Sequence, residues 1–478
     1  MTPSLSAGRT DTPLLHQTIG DNLRATARRF PEREALVVCH QGVRQTWAEL
    51  DAAVDAAAKG LMGLGIQKGD RVGMWSPNYA EWAWIQYATA RIGAIQVNIN
   101  PAYRTRELRY ALEQSGCRAL VTRTSYLTSP YREMAEEVRS DLRALERVIY
   151  FDTDDWAELL AAGTSVSDDA LWARAAELRP EEAINIQYTS GTTGFPKGAT
   201  LSHLNILNNA MLVARSCAYE ETDRVCIPVP YYHCFGMVLG NLACSVSGAT
   251  MVVPSPTFDA GVVLRTCQDE RCTSLYGVPT MFIAELAHPD LASCDLSSLR
   301  TGVMAGSPCP IEVMRKVIDL MHMSEVTIAY GMTETSPVST QTSTTDPVAR
   351  RVSTVGRVLP HVEAKIVDPE SGETVPRGTP GEYCTRGPHV MLGYWNDAAR
   401  TAEAIDADGW MHSGDLATMD DEAYVNIVGR IKDMIIRGGE NVYPREIEEF
   451  LYTHPAVADA QVIGVPDQRY GEEIMAWV

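Results

Sequence analysis

Along the first part of the chain, apolar positions alternate between helix-spaced and strand-spaced runs. Residues 47–64 repeat their apolar side chains at helical spacing, the turn Lys68-Gly69-Asp70 follows, and a short apolar run at residues 71–75 predicts a strand. A second unit of this kind follows Thr89-Ala90-Arg91-Ile92-Gly93-Ala94, and the polar stretch 152–180 predicts a helical connection rather than a domain linker. Such alternation builds α/β layers. From Ser353 the texture changes to short β-like runs broken by glycine and proline, as in Val355-Gly356-Arg357-Val358 and Gly378-Thr379-Pro380-Gly381-Glu382-Tyr383. That pattern predicts a β-barrel-like part over about residues 353–428. A boundary near residues 429–433 leads to Asp433-Met434-Ile435-Ile436, a glycine turn and a helix over 444–453 that opens with Pro444 and carries acidic residues early. The expected architecture is α/β. Residues 1–430 form a large N-terminal domain of layered α/β subdomains plus the barrel-like part, and residues 431–478 begin a small, incomplete C-terminal α+β domain. No internal repeat is present.

Length and composition narrow the partners. A chain of 478 residues exceeds one ordinary core, and 45% hydrophobic against 21% charged residues is the balance of a compact globular protein. The net charge of −20 has the wrong sign for binding nucleic acid or anionic lipid, so an anionic nucleotide has to be held by local backbone N–H groups, hydroxyls and a few cations. Eleven cysteines, odd in number and never spaced C-x-x-C, give neither a disulfide framework nor a zinc cluster and fit a reducing cytoplasm. The first twenty residues lack the apolar core of a secretory signal. Residues 237–254 come nearest to a membrane span, and Gly, Asn and Ser interrupt them.

The strongest local signal is Tyr188-Thr189-Ser190-Gly191-Thr192-Thr193-Gly194-Phe195-Pro196-Lys197-Gly198, which follows a strand-like run at residues 183–187. Its glycines let backbone N–H groups turn toward phosphate oxygens, its hydroxyls add donors, and Lys197 supplies charge that the acidic chain otherwise lacks. The string does not have the G-x-x-x-x-G-K-[ST] spacing of the common phosphate loop. A shorter fragment of it would read as an ordinary surface loop. Further along come Ala305-Gly306-Ser307-Pro308, Tyr330-Gly331-Met332-Thr333-Glu334, Gly393-Tyr394-Trp395, Trp410-Met411-His412-Ser413-Gly414-Asp415, Gly429-Arg430-Ile431-Lys432-Asp433 and Gly438-Gly439-Glu440-Asn441-Val442-Tyr443-Pro444.

In this order, over residues 20–478, these segments resemble the adenylate-forming superfamily of acyl-CoA synthetases, firefly-type luciferases and peptide-synthetase adenylation domains. The resemblance implies an ATP-dependent acid–thiol ligase that adenylates a carboxylic acid and passes the acyl group to coenzyme A, releasing AMP. It implies that Lys197, Thr333, Glu334 and His233 are catalytic, with Glu334 holding Mg2+. Thr189, Ser190, Gly191, Thr192, Thr193, Gly194, Gly306, Ser307, Tyr330, Gly331, Met332, Asp415, Ile427 and Arg430 would bind ATP or AMP, with Tyr330 against the adenine and Asp415 on the ribose hydroxyls. Ser413 stands where the family usually has Thr. Lys432 takes the hinge position, and Gly438, Gly439 and Glu440 would line the coenzyme A channel. Taken singly, an Asp or Arg of this kind is more often in a surface ion pair, and Lys432 also reads as a solvated lysine.

Tyr231-Tyr232-His233-Cys234-Phe235-Gly236 resembles the aromatic-His segment that closes the acyl pocket in fatty and aryl acyl-CoA synthetases, and it has no aspartate to pair with an amino-acid ammonium. Tyr232, Val278, Pro279, Met304 and Ala305 are the expected apolar walls, and the texture is most similar to medium-chain fatty acyl-CoA synthetases. Chain length stays open, because one methylene changes binding by only about 1–3 kcal/mol. A carrier-protein phosphopantetheine as acceptor, or a relative that binds ATP or acyl adenylate without turnover, stays open too. So does the choice between monomer and homodimer. Relatives carry a further catalytic lysine near their end, whereas here no lysine follows Lys432. The expectation is a truncated tail first, a natural half-reaction enzyme second and a degenerate binding relative third.

Replacing Lys197 or Glu334 by Ala is expected to depress pyrophosphate release severely with the fold intact; unchanged release in either variant means that the phosphate site lies elsewhere.

Overall fold

A computed structural model describes residues 2–189, 196–307, 309–437, 440–452, 454, 456–457, 459–467 and 471–478. Among these the strands assemble into four sheets. The seven-stranded sheet runs, in spatial order, Gly393–Tyr394, Lys197–Ser202, Ala183–Thr189, Ile95–Ile99, Arg71–Trp75, Cys117–Thr122 and Arg147–Tyr150. Its central strands are parallel and their side chains are almost wholly buried, because helices cover the sheet. The helix predicted over 47–64 is found at Trp47–Gly63, started by a reciprocal Thr46–Glu49 cap, and the strand predicted over 71–75 is found at Arg71–Trp75. Two helices, Asp154–Ala162 and Asp168–Ala176, account for the predicted connection.

The nine-stranded sheet has the order Arg357–Val358, Val338–Gln341, Glu325–Gly331, Thr301–Ala305, Ser274–Gly277, Arg224–Cys226, Thr250–Val253, Glu34–Val38, Val43–Thr46, parallel through its middle. Two helices of the first layer are clamped by Arg91, which is 1% exposed and ion-paired with both Asp51 and Asp55. Removing one partner of such a buried pair typically costs about 3–5 kcal/mol.

Beyond Ser353 the structure differs from a self-contained barrel. The five-stranded sheet is an open half-barrel of antiparallel strands, Leu5–Ala7, Glu363–Val367, Gly381–Arg386, Met411–Met419 and Val425–Arg430. Its edge strand comes from the N-terminus, while Arg357–Val358 and Gly393–Tyr394 are lent to the two larger sheets. These exchanges tie the half-barrel to the α/β layers and bring residues 393–394 beside the strand that begins at Lys197. A smaller α+β unit follows, in which the helix Pro444–Tyr452 accompanies strands Ile435–Arg437, Glu440–Val442, Gln461–Asp467 and Gly471–Trp477. Among the described residues no helix is long and apolar enough to cross a membrane. The eleven cysteines are free thiols.

Two fully buried histidines give the fold a pH signature. His203 accepts a hydrogen bond at Nδ1 from the backbone N–H of Ile19 at 3.2 Å, and burial lowers its pKa to about 3. His389 lies between the hydroxyls of Thr385 and Ser339 and is likewise lowered to about 3 by burial. Unfolded, each titrates near 6.5, so between about pH 6.5 and 3 the unfolded chain binds more protons. The stabilisation is therefore complete above pH 6.5 and is lost as the pH falls, by about 1.4 kcal/mol per pH unit for each histidine. Urea unfolding at a series of pH values should show this loss, and His203→Asn, which keeps an acceptor for Ile19, should make the slope shallower; an unaltered slope would mean that His203 is not the titrating group.

Candidate functional site

Strands Ala183–Thr189 and Lys197–Ser202 form an antiparallel hairpin in which Thr189 pairs with Lys197. Ser190, Gly191, Thr192, Thr193 and Gly194 of the hydroxyl-rich segment lie outside the described residues, as do Gly438 and Gly439. What the structure fixes is the frame around that segment. Glu334, 8% exposed on the short turn Thr333–Thr335, takes at one carboxylate oxygen both the Tyr394 hydroxyl at 2.9 Å and the Thr189 hydroxyl at 3.3 Å. The Lys197 ammonium sits 4.5 Å above the Tyr394 ring. Burial, then the Glu334 charge, raises the Tyr394 phenol, so it stays protonated and remains a donor. A cation, a buried carboxylate and two hydroxyls thus meet at the hairpin end.

Four residues earlier in the same segment, the Tyr330 hydroxyl donates to Asp415 at 2.7 Å. Arg430 donates from Nε to the other Asp415 oxygen at 3.1 Å, and the two residues are cross-strand partners in the half-barrel. Burial raises the Asp415 carboxyl, against the lowering effect of Tyr330 and Arg430. The Tyr330 ring meets Tyr383 edge-on at 5.3 Å, and Ile427 packs on the same apolar cluster. Ser413, where the family usually has Thr, donates its hydroxyl to the Tyr383 carbonyl at 2.6 Å and accepts the Asp415 N–H at 3.0 Å. Gly331 has a packing reason of its own, since a Cβ there would stand 1.8 Å from the Pro337 carbonyl oxygen. Met332 and Thr333 are half-buried, and Gly306 and Ser307 are exposed just past strand Thr301–Ala305. The side chain of Val278 touches the position a Cβ of Gly306 would occupy, at 3.1 Å.

The aromatic-His segment is positioned by a ladder of buried amides. Gln187 donates to Asn185, Asn185 and Gln96 donate to Asn98, and Asn98 donates to the Tyr232 carbonyl at 3.0 Å. The chain then enters a π-helix, Phe235–Leu242, a form that is rare and frequent at functional sites. Gly236 permits that entry, because a Cβ would lie 2.3 Å from the Pro230 carbonyl oxygen. The rings of Tyr232 and His233 are 4.0 Å apart, and His233 is exposed. Tyr232 and Met281 border a cavity of about 350 Å³ outside the carboxyl ends of the strands, where open α/β sheets bind ligands.

Met304 is a correction. Its neighbours Val303 and Ala305 face the core shared with the aromatic-His segment, but Met304 points to the opposite side of the strand and is fully buried with Phe282, Met314 and Val317. Strand alternation puts it behind the sheet, so it is not a pocket wall. Val278 is half-buried and Pro279 buried at the start of helix Pro279–Leu286. Lys432 is exposed on the short turn Ile431–Asp433, the covalent link between the half-barrel and the last sheet, and Glu440 opens the strand Glu440–Val442. Sequence reasoning missed Tyr394 as a partner of Glu334, and it missed the amide ladder. The ladder does leave a trace: Gln96 and Asn98, like Asn185 and Gln187, stand two apart among Ile and Val in strands that are otherwise apolar.

With this geometry in view, a family model described as AMP-binding enzyme matches residues 23–395, and one described as AMP-binding enzyme C-terminal domain matches residues 446–478. The protein YngI of Bacillus subtilis strain 168 is 50% identical over 97% of this chain and 88% of its own length. A medium-chain acyl-CoA ligase, mitochondrial, of Danio rerio is 45% identical over 100% of this chain and 82% of its own. Among solved structures, the anthranilate CoA ligase AuaEII in complex with anthranoyl-AMP superposes with a TM-score of 0.87 at 27% identity, covering 98% of this chain and 87% of that one.

Tyr394→Phe removes one of the two hydroxyls on Glu334 and leaves the ring under Lys197. Pyrophosphate release should fall about tenfold, the effect of losing about 1.4 kcal/mol at a charged hydrogen bond. Equal rates for the variant and the parent would show that the contact is only structural.

Proposed function

The chain belongs to the AMP-binding enzyme family, and on that footing we propose that it joins a carboxylic acid of apolar skeleton to the thiol of coenzyme A through an acyl adenylate. The chemistry of an adenylate-forming acid–thiol ligase is common to the family and its relatives. The observation that carries the reading to particular residues is the segment 330–334. Its Glu334 end meets Thr189, Tyr394 and, through the tyrosine ring, Lys197, while its Tyr330 end meets Asp415 and Arg430. One short stretch therefore has phosphate chemistry at one end and ribose chemistry at the other.

In the first step the substrate carboxylate attacks the α-phosphorus of ATP in line. The bond to the bridging oxygen breaks, and pyrophosphate leaves with the electron pair. The carboxylate is already a nucleophile, so the site needs no general base. Lys197, the loop N–H groups and Thr333 stabilise charge on the phosphate oxygens, and Asp415 orients the ribose. The oxygen donors at Glu334 and Thr189 fit magnesium, which would be held there and neutralise the triphosphate. In the second step the thiol attacks the acyl carbon, the bond to AMP breaks, and the thiol proton passes to solvent. A turn of the small C-terminal unit about Lys432, carrying Gly438, Gly439 and Glu440 to the thiol channel, delivers that thiol.

The acid is assigned from what surrounds the aromatic-His segment. Tyr231 and Cys234 are buried in apolar core, His233 adds no fixed charge partner for an ammonium, and no carboxylate stands in residues 231–236. A fatty acid of medium length heads the candidates, in keeping with the name of the Danio rerio relative.

Incubating the protein with ATP, magnesium and a panel of straight-chain, aromatic and amino acids, with and without coenzyme A, tests this. Pyrophosphate release with medium-chain acids and the matching thioester by mass spectrometry are expected. Acyl transfer to a phosphopantetheine carrier protein but not to coenzyme A would replace the acceptor, and nucleotide binding without release would replace the enzyme by a binding protein.

A further inference from the structure

Spacing along the chain gives no metal cluster, yet the fold gathers three distant cysteines. Cys226 ends the strand Arg224–Cys226, Cys267 lies on helix Ala260–Asp269, and Cys272 lies in the turn after it. In that turn the Cys272 N–H donates to the Cys267 carbonyl at 2.9 Å, and the chain re-enters the sheet beside Cys226, which pairs with Leu275. The three sulfur atoms all lie within 4.8 Å of one another, and each residue is 0% exposed.

We propose that Cys226, Cys267 and Cys272 form a closed site for one thiophilic metal ion of the cuprous class. Metal–sulfur bonds near 2.3 Å set the sulfurs of a trigonal site roughly 4.0 Å apart, so the observed cluster closes on an ion with movements under about 1 Å. Three sulfurs shielded from water suit a cuprous ion, whereas structural zinc takes four ligands. The thioethers of Met304, Met314, Met321 and Met323 share this core and keep the surroundings soft. A disulfide would use two of the sulfurs and leave the third unexplained. Uptake exchanges the cuprous ion for thiol protons, which are released to the medium. The bound ion ties a strand of the nine-stranded sheet to a helix and a turn, inside the core that Met304 also occupies.

The test uses the full chain, reduced, stripped of metal and kept anaerobic, and titrated with cuprous ion from a chromophoric cuprous chelator. One equivalent should be withdrawn from the chelator by the parent and by Cys309→Ser, while Cys267→Ala and Cys272→Ser lose that equivalent and keep ATP-dependent pyrophosphate release as the sign of a folded chain. Copper X-ray absorption on the loaded parent, which needs no variant, should show three sulfur neighbours. The proposal is overturned by no uptake in the parent, by full uptake in a folded Cys272→Ser, by fewer than three sulfurs around copper, by preferential uptake of zinc, or by a native disulfide among these cysteines. Failure of the ligase assay leaves the metal titration and the absorption spectrum unaffected, so the two readings fail separately.

Discussion

The arrangement depends on a single buried carboxylate. Glu334 is almost out of water and, among the described residues, is held by hydroxyls rather than by a direct ion pair, while Lys197 lies over the ring of its partner Tyr394. A carboxylate tied to a lysine at short range would be neutralised before any ligand came. Held by neutral donors, it is left without a counter-charge at contact distance among the described residues, the arrangement that the proposed function needs for a cation. The fold supplies this arrangement by lending the strand Gly393–Tyr394 out of the half-barrel segment to the edge of the seven-stranded sheet, where Tyr394 reaches both partners.

The same segment couples the two ends of the site. Residues 330–334 leave the nine-stranded sheet, and Tyr330 binds an aspartate of the half-barrel while Glu334 binds residues of the seven-stranded sheet. Three sheets therefore set the distance between the Asp415 end and the Glu334 end of this segment, which the proposed function gives to ribose and phosphate. A site assembled from one sheet alone would leave that distance to loop conformation, and errors near 1 Å are enough to lose most of the benefit of positioning.

Much of the fold was legible because its signals are local. The helical spacing over residues 47–64 and the apolar run at Arg71–Trp75 need no partner to be read. The half-barrel was legible only as texture, since its edge strand Leu5–Ala7 pairs with residues some 360 positions away, at Glu363–Val367. The motifs that hold Tyr330, Glu334 and Asp415 stand out along the chain, but the contacts these residues make with Asp415, Tyr394 and Thr189 do not. Met304 was misplaced because the run Val303-Met304-Ala305 is apolar throughout, so its alternation between two buried faces has no polar marker. The convergence of Cys226, Cys267 and Cys272 depends on parallel strand order, which residue spacing does not encode.

The amide ladder that ends on the Tyr232 carbonyl bears on how acid preference can drift in descendants of this chain. Asn185 and Asn98 both give and receive, so exchanging either for an aliphatic residue strands a neighbouring amide in a dry interior. On the proposed function, selection for a new acid is thereby channelled away from this sheet floor and onto residues with no rung to keep, such as Val278 and Met281 at the start of the helix Pro279–Leu286. The floor acts as an inherited invariant, and the opposite wall is where lineages can diverge.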